Sequence, residues 1–422
     1  MKETIYGLIE DNRQIKFLKD ICQEGGIQTG PFGSLLHKKD YQSTGTPIIT
    51  VEHLGENRIL HIDMPRVSDK DKKRLSRFVI CNGDIIFSRV GSVDRRSLVR
   101  EMEDGWLFSG RCLRVRPDQS QVDSRYLSWF FGLEAFKEYI RKIAFGVTMP
   151  SLNTKILSNI PIILPPLPEQ RAIAEVLSSL DDKIELNRRM NRTLEQLAQA
   201  IYKHMFIENP EREGWQIRPL SIYADFIKGV SYSSSELVAK SNSALVSLKS
   251  INRGGGYKVD GLKAYEGIYK PQQIISPGEV VVAHTDLTQA ADVIGRAAIV
   301  EENESYSTLI ASLDLVIVRP KKDGVSNEYL YCLLSFGDFP DFAYGYTNGT
   351  TVLHLSSKAL EDYSFPAPPQ SKISEFSEIV TPIFKQIELN NKQSRTLEKL
   401  RDTLLPKLMS GQVRVTGGLS GN

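Results

Sequence analysis

Residues 184–197 read IELNRRMNRTLEQL, and residues 387–400 read IELNNKQSRTLEKL, nearly the same phrase 203 positions later. Each sits in a long glycine-free run with apolar residues at 4,3 spacing, the pattern of a helix that offers one seam to a partner helix. The first seam is Ile173, Leu177, Leu180, Ile184, Asn187, Asn191, Leu194, Ala198, Ile201 and Met205; the second is Phe376, Val380, Ile383, Ile387, Asn390, Ser394, Leu397, Arg401, Leu404 and Leu408. Polar residues occupy the middle of both. A buried Asn must find a polar mate, so it trades stability for a defined register. An antiparallel register pairs Asn191 with Asn390 and Asn187 with Ser394, and sets Ile184 against Leu397 and Leu194 against Ile387. A parallel register also aligns the polar zones, and half-exposed Asn positions would fit the same spacing, so the seam alone does not decide. Each helix should run for about 37 residues, roughly 55 Å. Pro382 predicts a kink or a late start in the second helix, and Pro406 a break near its end.

The repeat reaches well beyond the seam. Pro165–Pro166 recurs as Pro368–Pro369, and RVRP (114–117) aligns with VIVRP (316–320), both at an offset of 203. Further back the offset drifts: GDIIF (83–87) matches GEVVV (278–282) at 195, and QIKFL (14–18) matches QIRPL (216–220) at 202. Each copy is therefore a length-variable part followed by a length-locked part, and length variation belongs to surface loops. The variable parts carry short β-branched runs with Gly or Pro punctuation, such as TPIITVEHL, DIIFSRV, SALVSLKSI and EVVVAHT, which predict strands. SRYLSWFFGLEAFKEYIRKI and SNEYLYCLLSFGDFPDFAY place aromatic residues at helical spacing, and this stripe is read as core. The fold class is α+β: two β-rich domains and two long coiled-coil helices in a pseudo-twofold repeat. The boundaries are 1–164 and 208–367 for the β-rich domains, 165–207 and 368–412 for the helical spacers, and 413–422 for a tail.

Composition narrows the function by exclusion. With 422 residues the chain exceeds one ordinary domain. Lys plus Arg is 53 and Asp plus Glu is 51, so there is no polybasic coat, although positive charge can still concentrate in a cleft. The four cysteines show no zinc spacing and read as reduced thiols of a cytoplasmic protein. The charged N-terminus lacks the apolar core of a signal peptide, and no stretch approaches the roughly 20 apolar residues of a membrane helix. There is no GxxxxGK[ST], GxGxxG in strand–helix context, GxSxG or HExxH, and no Asn/Asp-Pro-Pro-aromatic segment of an amino-methyltransferase. The expectation is a chain that catalyses nothing.

The long helical phrases LPPLPEQRAIAEVLSSLDDKIELNRRMNRTLEQLAQAIYKHMF and PIFKQIELNNKQSRTLEKLRDTLLPKLMSGQVRV resemble the two conserved regions of specificity subunits of type I restriction–modification systems. GIQTGPFGSLL and GDIIFSRVGSV look like the start and middle of one target-recognition domain, GVSYSSSEL and GEVVVAHTDLT like those of another. The resemblance covers essentially the whole chain. It implies a non-catalytic subunit in which two target-recognition domains each read half of a split, asymmetric sequence in double-stranded DNA. Two antiparallel helices would act as spacer, two methyltransferase subunits would dock on them, and restriction subunits would join. No cofactor is expected in this chain; S-adenosylmethionine, ATP and Mg would belong to those partners. A rod of this length suits readers about one DNA turn apart, roughly 34–36 Å. Inserting a heptad or a four-residue unit within 170–183 should then lengthen the gap between half-sites, and an unchanged gap would refute the spacer role. The rival reading is a coiled-coil scaffold for proteins alone, which would show no salt-dependent DNA affinity.

Base readers need forked donors or amides. In the first copy the polar loops QTGPFGSLLHKK, SRVGSVDRR and GVTMPSLN nominate Gln28, Ser34, Lys38, Arg89, Ser92, Arg95, Arg96 and Thr148. In the second, KSINRGGGYK, HTDLTQ and YTNGTT nominate Lys249, Arg253, Tyr257, His284, Thr285, Thr288, Gln289, Thr347 and Asn348. The glycines after Arg253 would let backbone approach a phosphate closely.

Overall fold

The computed structural model describes residues 2–10, 12–146, 149–287, 290–321, 324–349, 352–356 and 358–415, apart from the side chains of Lys2 and Ser34. The chain forms two compact units: Met1–Glu185 together with the chain from Ser394 onward, and Leu186–Gln393. Each repeats the same plan.

In the first unit the central sheet has the order Gln28–Thr29, Cys112–Val115, Ile85–Ser88, Arg96–Leu98, antiparallel throughout. In the second the order is Ala224–Lys228, Leu315–Pro320, Val280–Ala283, Ala297–Ile299, again antiparallel. In the second unit the innermost strands read as unbroken apolar runs, Val280–Ala283 and residues 315–318, because both faces are covered; in the first, Arg114 and Ser88 interrupt or end them. Alternation survives as a choice between two cores. Ile85, Phe87, Leu113 and Val115 join the helical layer with Trp129, Phe130 and Phe136, whereas Ile86 and Cys112 join a second small sheet through Ile48, Ile49 and Leu107. Val280, Val282, Val316 and Val318 likewise face helices, and Val281, Ala283 and Ile317 face the other side. The aromatic stripes are core, with Tyr126, Phe130, Phe131, Phe136 and Tyr329 buried.

The repeated GD/GE and Arg-Pro motifs have a shared job. Gly83 and Gly278 turn at φ 91° and 90°, a region that favours glycine. The next residue's carboxylate accepts a backbone N–H, Cys81 to Asp84 at 2.8 Å and Ser276 to Glu279 at 2.7 Å. Arg116 and Arg319 then bind those carboxylates with both arms of the guanidinium. Helix capping is repeated in the same way: Asp123 caps Ser124–Phe130, and Ser326, at the matching position, caps Asn327–Phe336.

The long helices are Leu167–Tyr202 and Gln370–Ser410, each passing through both units. In the first unit their packing is antiparallel: Arg13 ties Glu169 to the Leu408 and Met409 carbonyls, while Asp181 meets Arg401 at 3.1 Å. In the second, Asn191 accepts from Asn390 at 2.8 Å and Tyr202 packs on Phe376 with ring centroids 5.8 Å apart, the same direction. The Asn191–Asn390 pair is the one the register predicts. Leu194 and Leu397 are half-buried, whereas Ile184, Asn187, Asn191, Ile387, Asn390 and Ser394 are buried.

Two expectations fail here. The second helix neither starts late nor breaks, since it is continuous through Pro382 and Pro406. Both prolines are exposed, as is Glu378, whose carbonyl loses its donor at Pro382, so water can replace the missing bond. Leu180 is only half-buried, and the adjacent Asp181 takes the buried place.

Candidate nucleic-acid interface

The sheet of each unit ends in a ledge built from loops distant in sequence. In the first unit, the strand Ile85–Ser88 runs out at Arg89, whose N–H donates to the Arg111 carbonyl at 2.8 Å. Leu152 N–H donates to the Arg89 carbonyl at 2.8 Å and Gly91 N–H to the Pro150 carbonyl at 2.9 Å. Short bridges then join Val90 to Ser151 and Ser151 to Phe145. The loops of Phe32, Arg89 and Ser151 therefore meet: the Arg89 guanidinium donates to the Gly110 carbonyl at 3.0 Å and lies 5.7 Å from the Phe32 ring centroid.

The second unit repeats this construction with other side chains. His284 N–H donates to the Asp314 carbonyl at 2.7 Å, and Leu355 N–H to the His284 carbonyl at 2.8 Å. Thr285–Asp286, Leu353–Leu355 and Thr347–Asn348 form a three-stranded ladder in which His354 lies between Thr285 and Asn348. By repeat offset, His284 stands where Arg89 does, Asp314 where Arg111 does, His354 where Ser151 does, and Asn348 where Phe145 does.

The nominated residues divide accordingly. Arg89 and Ser92 are at the first ledge; His284, Thr285, Thr347 and Asn348 are at the second. Gln28 is half-buried on a strand edge, and Lys38 is exposed in a short turn. Arg95 donates to the Leu54 carbonyl. Thr148, Thr288, Gln289 and the Ser34 side chain lie outside the described residues. Arg96 is a correction. It is 1% exposed, donates to the Ser128 carbonyl at 3.1 Å and pairs with Glu56, so its charge holds the first unit together instead of facing DNA. Thr285 is buried and donates to Asp314 at 2.9 Å, which occupies its hydroxyl. Lys249 and Arg253 are exposed on another loop, whose Tyr257 lines a cavity of about 710 Å³ with Arg188, Arg192 and Phe384. The glycine loop after Arg253 is a second correction. Gly254, Gly255 and Gly256 donate their N–H groups to Asp292, Asn252 and Ala297, so the loop's amides are spent internally and do not cradle a phosphate. Its glycines serve φ values of 83–110°.

Sequence reasoning passed over Phe32, Arg111, Phe145 and His354, all exposed at the ledges. Each could have been found by asking which residues flank the strand ends in both copies.

His284 is held below the usual imidazole range, first by burial, then by the charges of Lys228 and His354, with Asp314 opposing. Its Nε2 is buried without a hydrogen-bond partner among the described residues. His53 in the first unit is shifted the same way by burial. A depressed histidine binds fewer protons folded than unfolded, so stability rises with pH across this window. The contribution is complete above about pH 6.5 and is lost as pH falls below it. The thermal midpoint should therefore drop between pH 7.5 and 5.5, and His284→Gln should shrink that drop. An identical pH dependence in the variant would contradict the assignment.

Comparison with known proteins agrees with this architecture. The family model for the type I restriction modification DNA specificity domain matches twice, at residues 10–196 and 214–399. The chain is 27% identical over 442 residues to the type I restriction enzyme MjaIX specificity subunit of Methanocaldococcus jannaschii, covering 98% of this chain and 96% of that one. It is 22% identical over 431 residues to the HindI specificity subunit of Haemophilus influenzae, covering 85% and 92%. Its fold resembles the crystal structure of an S subunit from M. genitalium, with a TM-score of 0.60 at 15% identity over 94% and 96% of the two chains. The chain belongs to the family of DNA specificity domains. It is a specificity subunit of a type I restriction–modification system, the non-catalytic, DNA-recognising member of such a set. Among the described residues no helix is long and apolar enough to cross a membrane.

Proposed function

We propose that the subunit reads a bipartite, asymmetric target in double-stranded DNA, one half per unit, and scaffolds two methyltransferase subunits and the restriction subunits in the cytoplasm. The observation that carries the DNA reading is the pair of ledges. One backbone plan presents Arg89, Arg111, Phe145 and Ser151 in one unit and His284, Asp314, Asn348 and His354 in the other. Equal scaffolds with unequal side chains are what two different half-sites require. Partner binding is supported by the repeat of exposed apolar positions on the helices. Leu186 and Leu389 are 48% and 51% exposed, and Leu197 and Leu400 are 47% and 45%. Each pair is separated by the repeat offset of 203, so two like surfaces are available for two copies of one partner. S-adenosylmethionine, ATP and Mg are assigned to the partners.

The test is to co-express the chain with its cognate methyltransferase subunit and map methylated sites in genomic DNA. A split site with unlike halves is expected. A contiguous or palindromic site would overturn the bipartite reading. No sequence-specific methylation, together with no salt-dependent DNA affinity, would favour a protein-only scaffold.

A further inference from the structure

The two ledges share one order of contacts and differ in the side chains that fill it. In the first unit the bridge row is Val90, Ser151, Phe145; in the second it is Thr285, His354, Asn348. Every member of one row is the repeat counterpart of a member of the other. The backbone holding the central residue is also equivalent, because Leu152 N–H donates to the Arg89 carbonyl as Leu355 N–H donates to that of His284, both at 2.8 Å. Directly paired residues of a ladder project to the same face, so Thr285, His354 and Asn348 share one.

Within that row the available groups are few. Thr285 is buried with its hydroxyl committed to Asp314, and His284 next to it has its Nε2 buried. His354 and Asn348 are exposed. Resting on the DNA-specificity reading above, we infer that His354 is a specificity-determining residue of the second unit. It contacts a base edge of that half-site, beside Asn348, and Ser151 is its counterpart in the first unit. An imidazole N–H is a single donor suited to a purine acceptor, and the neighbouring amide can offer a donor and an acceptor to adenine. The ladder supplies what a reader needs: a backbone fixed on both sides and an exposed side chain.

The experiment uses the full chain co-expressed with its methyltransferase subunit, with methylated sites mapped for four proteins: unaltered, His354→Ala, Asn348→Ala and Ser151→His. His354→Ala should lose discrimination at one base pair of the second half-site by roughly tenfold or more, with the first half-site unchanged. Asn348→Ala should relax a neighbouring base pair of the same half-site. Ser151→His should alter the first half-site only. An unchanged consensus for His354→Ala at the unaltered rate would overturn the inference. So would a uniform loss of methylation at all sites with the consensus intact, which marks a structural residue. If the unaltered chain itself directs no sequence-specific methylation, the underlying DNA reading fails, and this inference with it.

Discussion

Asp181→Ala should destabilise the first unit by about 3–5 kcal/mol, the range for stripping one partner from a buried charge cluster. The Asp181 side chain is 6% exposed and lies 2.6 Å from Arg58, 3.1 Å from Arg401 and 3.6 Å from Arg100. Arg58 comes from the β-rich body and Arg401 from the second long helix, so a single carboxylate on the first helix joins three elements. Glu185 at 3.1 Å from Arg58 and Asp182 at 2.9 Å from Arg100 soften the loss for those two arginines. Arg401 keeps the ion pair with Asp402, a residue mostly in water, and the Trp129 ring 5.9 Å away, so its 14%-exposed side chain suffers most. In a unit of this size the change corresponds to a fall of roughly 10 °C in thermal midpoint. Urea titration of the full chain gives the direct comparison, and a loss under about 1 kcal/mol would mean that the cluster behaves as an ordinary surface ion pair.

The cluster also shows where sequence reading stops. Heptad spacing placed Leu180 in the seam, and its neighbour Asp181 had no apolar pattern to betray it. What buries Asp181 is Arg58, 123 residues away, on a loop whose position depends on the whole fold. Arg95 and Arg96 are adjacent and identical in type, so composition could not separate them. Strand alternation does, by sending Arg96 inward toward Ser128 and Glu56. A late start at Pro382 and a break at Pro406 follow from a rule about lost hydrogen bonds, yet that rule weakens on an exposed face. By contrast, the seam spacing and the repeat offset made the helix pair accessible, and helical spacing the aromatic cores, whereas the Asp84–Arg116 and Glu279–Arg319 pairs appear only in the fold, although both members recur in the two copies. His354 was missed for the opposite reason: its meaning lies in its difference from Ser151, which appears only when the two ledges are aligned.

The second large effect concerns the Asn seam. In the second unit the side-chain amides form a directed chain. Gln386 donates to Asn390 at 2.9 Å, Asn390 to Asn191 at 2.8 Å, Asn191 to Asn391 at 2.6 Å, and Asn391 to the Glu301 carboxylate at 2.8 Å. Asn187 adds bonds to Gln393 at 2.9 Å and to the Asn390 carbonyl at 3.3 Å. Each amide is placed by the one before it, so the chain is satisfied in one register. Asn191→Leu removes an acceptor from Asn390 and a donor from Asn391, two groups in a partly desolvated seam. A cost of about 2–4 kcal/mol is expected, at about 1–3 kcal/mol for each group left unpaired. Asn390→Leu alone should cost a similar amount. The double variant Asn191→Leu/Asn390→Leu should cost much less than the sum, because the two changes remove one shared interaction and return apolar packing to the seam. Its helices should also lose their unique alignment, since Leu against Leu accepts neighbouring registers that Asn against Asn rejects. Urea unfolding of the four proteins closes the thermodynamic cycle, and cysteine cross-linking across the seam reads the register. Strict additivity in the cycle, or a double variant that keeps a single register, would show that packing around the seam, not its amides, sets the alignment.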